Sequence, residues 1–198
     1  MNHNELDNIA KFIARGYFDD IFFKWVVPSD AQRLVIVTEY YKVYLGAEGA
    51  HIYVAEANGV VVGATVWLPH DVNPAIYDDI DTATGEYAPN FWAVADKSHE
   101  SEPKNTPFSQ LVGFVVDETQ RNQGVGTTLL KAHLDIMDTQ GIPTYLEAST
   151  PFNGGGVYGK FGYTQYKELL VFSPQAVLYP LWRPAGGVIV NNTEGDKN

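Results

Sequence analysis

Arg121, Gly124 and Gly126 stand in the stretch "QRNQGVG", residues 120–126, between an apolar run ending at Asp117 and the stretch "TTLLKAHLDIM". A basic side chain and two glycines placed where a strand hands over to a helix suit the holding of phosphate. Glycine lets the backbone take conformations that other residues resist, and it lets a ligand approach the main chain closely. The helix that follows turns its unpaired N–H groups and the positive end of its dipole into the same loop. The spacing is not that of a Walker A loop, because Gly126 is followed by Thr127 and Thr128 rather than by Lys and Ser or Thr. Nor is it the dinucleotide fingerprint, because Leu129 stands where a third glycine is needed. A tight strand-to-helix turn with no ligand uses the same residues, so the loop alone leaves both readings open.

The elements that must position this loop are read from periodicity. Residues 4–15 place Leu6, Ile9, Phe12 and Ile13 on one helical face, with Gly16 as a stop. The aromatic stretch "YFDDIFFKWVVP" follows, broken by Pro28, and a second helix is predicted from Ser29 or Asp30 to Leu45. Runs 51–57 and 60–68 flank Asn58-Gly59 and predict a hairpin. Residues 69–107, rich in proline and aspartate, read as irregular, with a helical pattern only in "NFWAVADKSHE". A buried strand over 108–117 leads through the glycine loop to a helix from Gly126 to Gln140, whose Leu129, Leu130, Leu134 and Met137 face the core. "IPTYLEAS" is a strand, "GVYGKF" a short helix, "YTQYKELLVF" a further strand and "QAVLYPLWRP" a last one. The order predicts a mixed α/β (α+β) fold, one domain over residues 1–184, and a flexible C-terminal tail from Ala185.

Composition narrows the function. With 198 residues, 45% of them apolar, the chain suffices for one well-filled core. It has no cysteine, which excludes disulfides, thiolate metal sites and a Cys nucleophile. A formal charge of −11 argues against a nucleic-acid partner, which needs clustered Lys and Arg, and is compatible with a cationic substrate such as an amine. No apolar run is long enough to span a bilayer, and the N-terminus lacks the features of a signal peptide, so a cytoplasmic protein away from membranes is expected. The five His residues show no metal-ligand spacing, and no metal is expected. No G-x-S-x-G elbow supports serine-based hydrolysis.

Arg121-x-x-Gly124-x-Gly126, opening a helix after a buried strand, resembles the acyl-CoA pyrophosphate loop of the GCN5-related N-acetyltransferase (GNAT) family. "PTYLEAST" followed by "FNGGGVYGKFGY" resembles the second half of that fold. "VVVGATVWLP" together with "YLEAS" is most similar to the puromycin N-acetyltransferase-like branch, although "TPFSQLVGF" lacks the His and Trp which that branch places at the start of its central strand. The resemblance is specific over residues 108–172 and moderate over 50–70. It implies a mostly antiparallel central sheet flanked by helices, and direct acetyl transfer from acetyl-CoA to a primary amine of a small molecule in a ternary complex. It further implies that Arg121, Asn122, Gln123, Gly124, Val125, Gly126 and Thr127 hold the pyrophosphate. Val115 and Val116 would pair their main chain with the pantetheine arm.

Such transfer needs a base for the ammonium, a donor for the acyl oxygen and an acid for the departing thiolate. A main-chain N–H on the central strand is a candidate for the donor. Tyr158 matches the family's tyrosine and is the candidate acid, a phenol that stays protonated at neutral pH; the alternative is an amphipathic core tyrosine. Asn153 would bind the pantetheine amides or cap the short helix. Glu147 points to the cleft if Tyr145 and Ser149 share its face, and is the candidate base or else an ion-paired structural residue. Glu39 is a weaker candidate, and a water chain to solvent needs no base. His70 either borders the acceptor site or lies on a surface loop. The many aromatics, among them Phe22, Trp25, Tyr40, Tyr44, Trp67 and Trp92, suit core packing, a flat or apolar amine, or a dimer face, so either a monomer or a homodimer is compatible. A protein lysine or N-terminal amine as acceptor, and a non-catalytic acyl-CoA sensor, are the alternative functions.

Overall fold

The computed structural model describes residues 2–72 and 75–187. Its centre is a seven-stranded sheet of β1 (His51–Ala57), β2 (Val60–Pro69), β3 (Ser109–Val116), β4 (Thr144–Ala148), β5 (Thr164–Gln165), β6 (Leu170–Val171) and β7 (Val177–Arg183). The strands follow the order β1-β2-β3-β4-β7-β5, with β6 also paired to β7. Only β3 and β4 run parallel. The β1–β2 hairpin turns on Asn58 and Gly59, at φ 52° and 75°. Both turn residues thus take the positive φ that this tight connection requires.

Two apolar layers form, one on each face of the sheet. Helices α1 (His3–Gly16), α2 (Ile21–Val26) and α3 (Asp30–Gly46) bury Ile9, Ile13, Phe23, Val37 and Tyr41 with Val66 and Val115 of the sheet. On the other side α6 (Val125–Gln140) brings Leu130 and Leu134 to Trp67, Leu111 and Leu146. An Asn2–Glu5 capping box starts α1, with both reciprocal bonds formed. At the far end of α6, the Asp138 carboxylate takes two bonds from the buried Arg183 guanidinium, at 2.6 and 2.7 Å, and so ties α6 to β7.

Residues 69–107 are not irregular: they contain α4 (Ile76–Thr84) and α5 (Ala88–Ser101). Ile76, Ile80 and Thr84 recur every fourth residue on the buried face of α4, a stripe obscured in sequence by Asp78, Asp79 and Asp81 between them. Pro89 sits in the first turn of α5, where its missing N–H costs nothing. Two further segments take a form not read from the sequence. "YFDDIFFKWVVP" contains α2, capped by Asp20, whose Oδ1 accepts from Phe22 and Phe23 N–H at 2.9 and 3.2 Å. "YTQYKELLVF" is not one strand but β5 and β6, interrupted at Tyr166–Leu169. Of the tail from Ala185, residues 188–198 lie outside the described residues, while Gly186 N–H donates to Asp138 at 2.7 Å.

The feature that positions the site is a parting of strands. β3 pairs with β4 only at Ser109–Thr144, Gln110–Tyr145 and Leu111–Leu146. Its pairing with β2 shifts at the next residue, where Gly113 faces Val66 and Leu111 faces Trp67, leaving Val112 as an extra residue. Such a bulge bends its strand and steepens the twist. From Val112 to Val116, β3 therefore has β2 on one side and, among the described residues, no strand on the other.

Candidate active site

Along that opening, side chains do the work of the missing strand. Asp117 N–H points to β2, where it donates to Val62 O at 2.9 Å. By strand alternation the amides of Phe114 and Val116 point the opposite way, into the opening. Phe114 N–H donates to Tyr17 Oη at 2.9 Å, and the same hydroxyl lies 3.2 Å from Phe114 O. Tyr41 Oη donates to Val112 O at 3.0 Å, and Arg121 Nε donates to Val116 O at 3.3 Å. Buried main-chain groups must find partners, and here two tyrosines and an arginine supply them. Burial pushes the Tyr17 phenol up to about 12, so it remains a protonated donor.

The glycine loop opens onto this edge. Asn122 and Gly124 take φ 61° and 84°, and Gly124 is the N-cap of α6 with no side-chain capping bond. The first intrahelical bond runs from Thr128 N–H to Gly124 O, so the N–H groups of Val125, Gly126 and Thr127 have no partner within the helix. Gly126 lets the helix start lie close to β3, since a Cβ there would come within 2.9 Å of the Phe114 ring. These residues fit a phosphate-bearing ligand with an extended, amide-containing arm: unpaired N–H donors at a helix start, Arg121 beside them, and a strand edge held only by side chains.

A cavity of about 930 Å³ runs from this loop along the β3 edge to the helices α4 and α5. Gln120, Arg121, Asn122, Gly124, Gly126 and Thr127 line one end. Gln123 and Val125 do not line it: Gln123 Nε2 donates back to Thr119 O at 2.8 Å, and Val125 packs toward Gly63. Val116 presents both its main chain and its surface to the opening. Val115 reaches the cavity wall, but its main chain belongs to the β2 pairing, facing Ala64, and is turned away from the opening. Asn153 lies outside the cavity, where its Oδ1 accepts from Gly155 N–H at 3.1 Å, and Gly155 rather than Asn153 is the N-cap of α7 (Gly156–Lys160).

Tyr158 is carried by α7 into the middle of the cavity, its ring edge-on to Phe114 at 6.0 Å. Burial, together with the nearby Tyr17 and Tyr163 phenols, raises its pKa well above the ordinary value, so it is a proton donor at neutral pH. Glu147 enters from β4. Ser98 Oγ donates to its Oε2 at 2.6 Å and Tyr145 Oη to its Oε1 at 2.8 Å. Desolvation outweighs both bonds, and with the charge of Glu102 it raises Glu147 to about 7. Beyond Tyr145, Ser149 Oγ donates to Asp20 Oδ2 at 2.7 Å, which ties the end of β4 to the start of α2. Beyond Glu147 the walls carry the aromatic Tyr40, Tyr44, Tyr77, Phe91 and Trp92 together with aliphatic residues, His99 and Glu102.

The other candidates lie elsewhere. Glu39 pairs with Lys42 at 2.8 Å and lines a separate depression on α3. His70 is exposed and packs on Phe108, 4.4 Å between ring centroids. Sequence reasoning missed Tyr17, Phe114, Ser98 and Glu102. Counting back by twos from Val116 would have found Phe114. Tyr17 and Glu102 carry no local signal, because their place depends on packing.

A single domain with this sheet, parted between its two parallel strands beside a glycine-rich helix start, has the architecture of an acyl-CoA-dependent transferase. The acetyltransferase (GNAT) family pattern matches residues 17–163, and the chain belongs to that family. The family uses acetyl-CoA as cosubstrate. No curated protein sequence matches the chain significantly. Among solved structures, the histone acetyltransferase HPA2 and related acetyltransferase from Corynebacterium glutamicum is similar, at 18% identity over 93% of each chain with a TM-score of 0.62. An agmatine N-acetyltransferase is similar at 15% identity over 92% of this chain and 95% of that one, TM-score 0.54. The ribosomal-protein-S18-alanine N-acetyltransferase from Escherichia coli is similar at 13% identity over 98% and 96%, TM-score 0.53. At these identities the likeness is one of fold.

Proposed function

We propose that the protein transfers the acetyl group of acetyl-CoA to the primary amine of a small molecule. The observation that carries this is the single cavity joining a phosphate-type helix start to a buried carboxylate of raised pKa, past Tyr158. Bound acetyl-CoA supplies the activated acyl group. The α6 N–H groups and Arg121 hold its phosphates. Phe114 and Val116 exchange their side-chain partners for the amides of its arm, and a main-chain N–H of β3 serves the acyl oxygen. Glu147 takes the proton of the incoming ammonium, which is protonated in water at neutral pH. The N–C bond forms, the C–S bond breaks, Tyr158 gives its proton to the departing sulfur, and the second proton lost by the nitrogen restores the Tyr158 phenol. The strand stretches "VVVGATVWLP" and "YLEAS" support placing the chain near the puromycin N-acetyltransferase-like branch, from which the glycines Gly154 to Gly156 depart.

An acceptor end recessed among α3, α4 and α5 and rich in aromatic rings favours a small amine over a protein side chain. The test is calorimetry with coenzyme A, followed by thiol release from acetyl-CoA with a panel of small amines and amine-bearing peptides. Heat with coenzyme A and thiol release with small amines are expected. Absence of heat removes the coenzyme site, and release with peptides alone moves the acceptor class to proteins.

A further inference from the structure

Glu102 is the C-cap residue of α5 and is 8% exposed, yet its carboxylate faces the acceptor end of the cavity. Among the described residues it has neither a hydrogen-bond donor nor a cation within bonding distance. Its oxygens open onto the cavity rather than into packed protein, so this carboxylate without a protein partner stands ready to take one from a ligand. Burial raises Glu147, Tyr44, Tyr77 and Tyr145, and the negative charge of Glu102 adds to that rise in each.

Ser98 fixes Glu102 and Glu147 relative to one another. Ser98 Oγ donates to Glu147 at 2.6 Å, and Ser98 O accepts Glu102 N–H at 2.9 Å, one helical turn along. Tyr145 reinforces the link, since its hydroxyl bonds both Glu147 and Ser101, at 2.8 and 3.3 Å. The two carboxylates are thus held by different elements at one end of one cavity, with no cation shared between them among the described residues. Beside them the rings of Tyr77 and Trp92 lie 5.5 Å apart and present faces that attract a cation.

We propose that the acceptor is a short aliphatic diamine, one ammonium delivered to Glu147 for acetylation and the other bound by Glu102. This rests on reading the cavity as an acetyl-acceptor site, and it adds the substrate class. A monoamine that gives its proton to Glu147 leaves Glu102 uncompensated throughout the reaction. A diamine supplies the missing partner in a charge-assisted contact, and the acidic chain as a whole, at −11, draws in a dication.

The experiment measures kcat/KM with acetyl-CoA for diamines from 1,3-diaminopropane to 1,6-diaminohexane, each against the monoamine of the same chain length. At least one diamine should exceed its monoamine by about tenfold or more, the worth of one charged hydrogen bond. In Glu102→Gln that ratio should fall toward one. A ratio near one in the wild type, which requires no variant to fold, overturns the assignment and leaves acetyl transfer standing. So does a ratio that survives in Glu102→Gln. No thiol release with any amine, in protein that binds coenzyme A, overturns both the diamine and the acceptor site.

Discussion

The two ends of the cavity are built from different materials. The coenzyme end is main chain: a strand edge freed by a bulge, a glycine N-cap at φ 84°, and helix N–H groups without partners. The acceptor end is side chain: Glu147 from β4, Ser98 and Glu102 from α5, Tyr40 and Tyr44 from α3. Main-chain geometry tolerates many side chains at the same place, so it suits a constant cosubstrate. Side-chain chemistry changes with every substitution, and it suits a particular acceptor. The contrast teaches that substitutions at the acceptor end should act on turnover and selectivity, and those at the loop on coenzyme affinity.

The largest effect is expected at Glu147. Glu147→Gln should lower kcat by about 10²–10⁴, the usual worth of a positioned base, with coenzyme A affinity changed little. The pH profile sharpens this. The group is raised from 4.5 to about 7, so the wild-type rate should fall as pH drops through about 7, where the carboxylate takes up a proton. The same raised value makes the folded state lose stability as pH rises from 4.5 through about 7, because the unfolded chain ionises first. Glu147→Gln should abolish both dependences. An unchanged acid limb in the rate would take the base role away from Glu147.

Tyr158→Phe should come next, with kcat lower by about 10²-fold and calorimetric coenzyme A affinity within about twofold of wild type. Comparable losses in both would make Tyr158 a packing residue of the coenzyme arm rather than the acid. The removal of one hydroxyl leaves its contact with Phe114 in place, so the variant tests proton donation without emptying the cavity.

These two ends also differed in how far they could be read from the chain. The loop was legible because a short-range pattern and the helix after it lie together in sequence. Strand and helix signals around it were likewise local, as with Asn58-Gly59. The acceptor end depends on α4 and α5, where acidic residues interrupt the apolar stripe and proline stands in the first turn. Glu102 is one of two acidic residues in "SHESEP"; only the docking of α5 against β4 turns it inward. The pairing of Val115 shows a subtler limit. Which strand amides face the opening is decided by parity, and parity cannot be settled until Asp117 is known to bond Val62.

At the loop, Gly124→Val should weaken coenzyme A by about tenfold, because a residue with a Cβ at φ 84° costs on the order of 1–2 kcal/mol and loosens the helix start. The site itself has room, since nothing lies within 4 Å of a Cβ built there, so the loss would come from the backbone. Turnover at saturating acetyl-CoA should hold. A fall in kcat without loss of affinity would break the division between the two ends.

The smallest change is the most discriminating. Tyr17 Oη holds Phe114 N–H in the free protein, the amide that an acyl-CoA arm must claim. In Tyr17→Phe that N–H and Phe114 O lose their partner while the ring can keep its packing beside Phe23 and Tyr41. An unsatisfied buried amide costs about 1–3 kcal/mol, a cost borne by the free protein and relieved once coenzyme A pairs with the strand. The variant should therefore melt at lower temperature alone, gain more than the wild type from added coenzyme A, and bind it severalfold more tightly by calorimetry. Weaker binding would mean that the hydroxyl stays in place and helps to hold the coenzyme, so that the open edge begins at Val116 and not at Phe114.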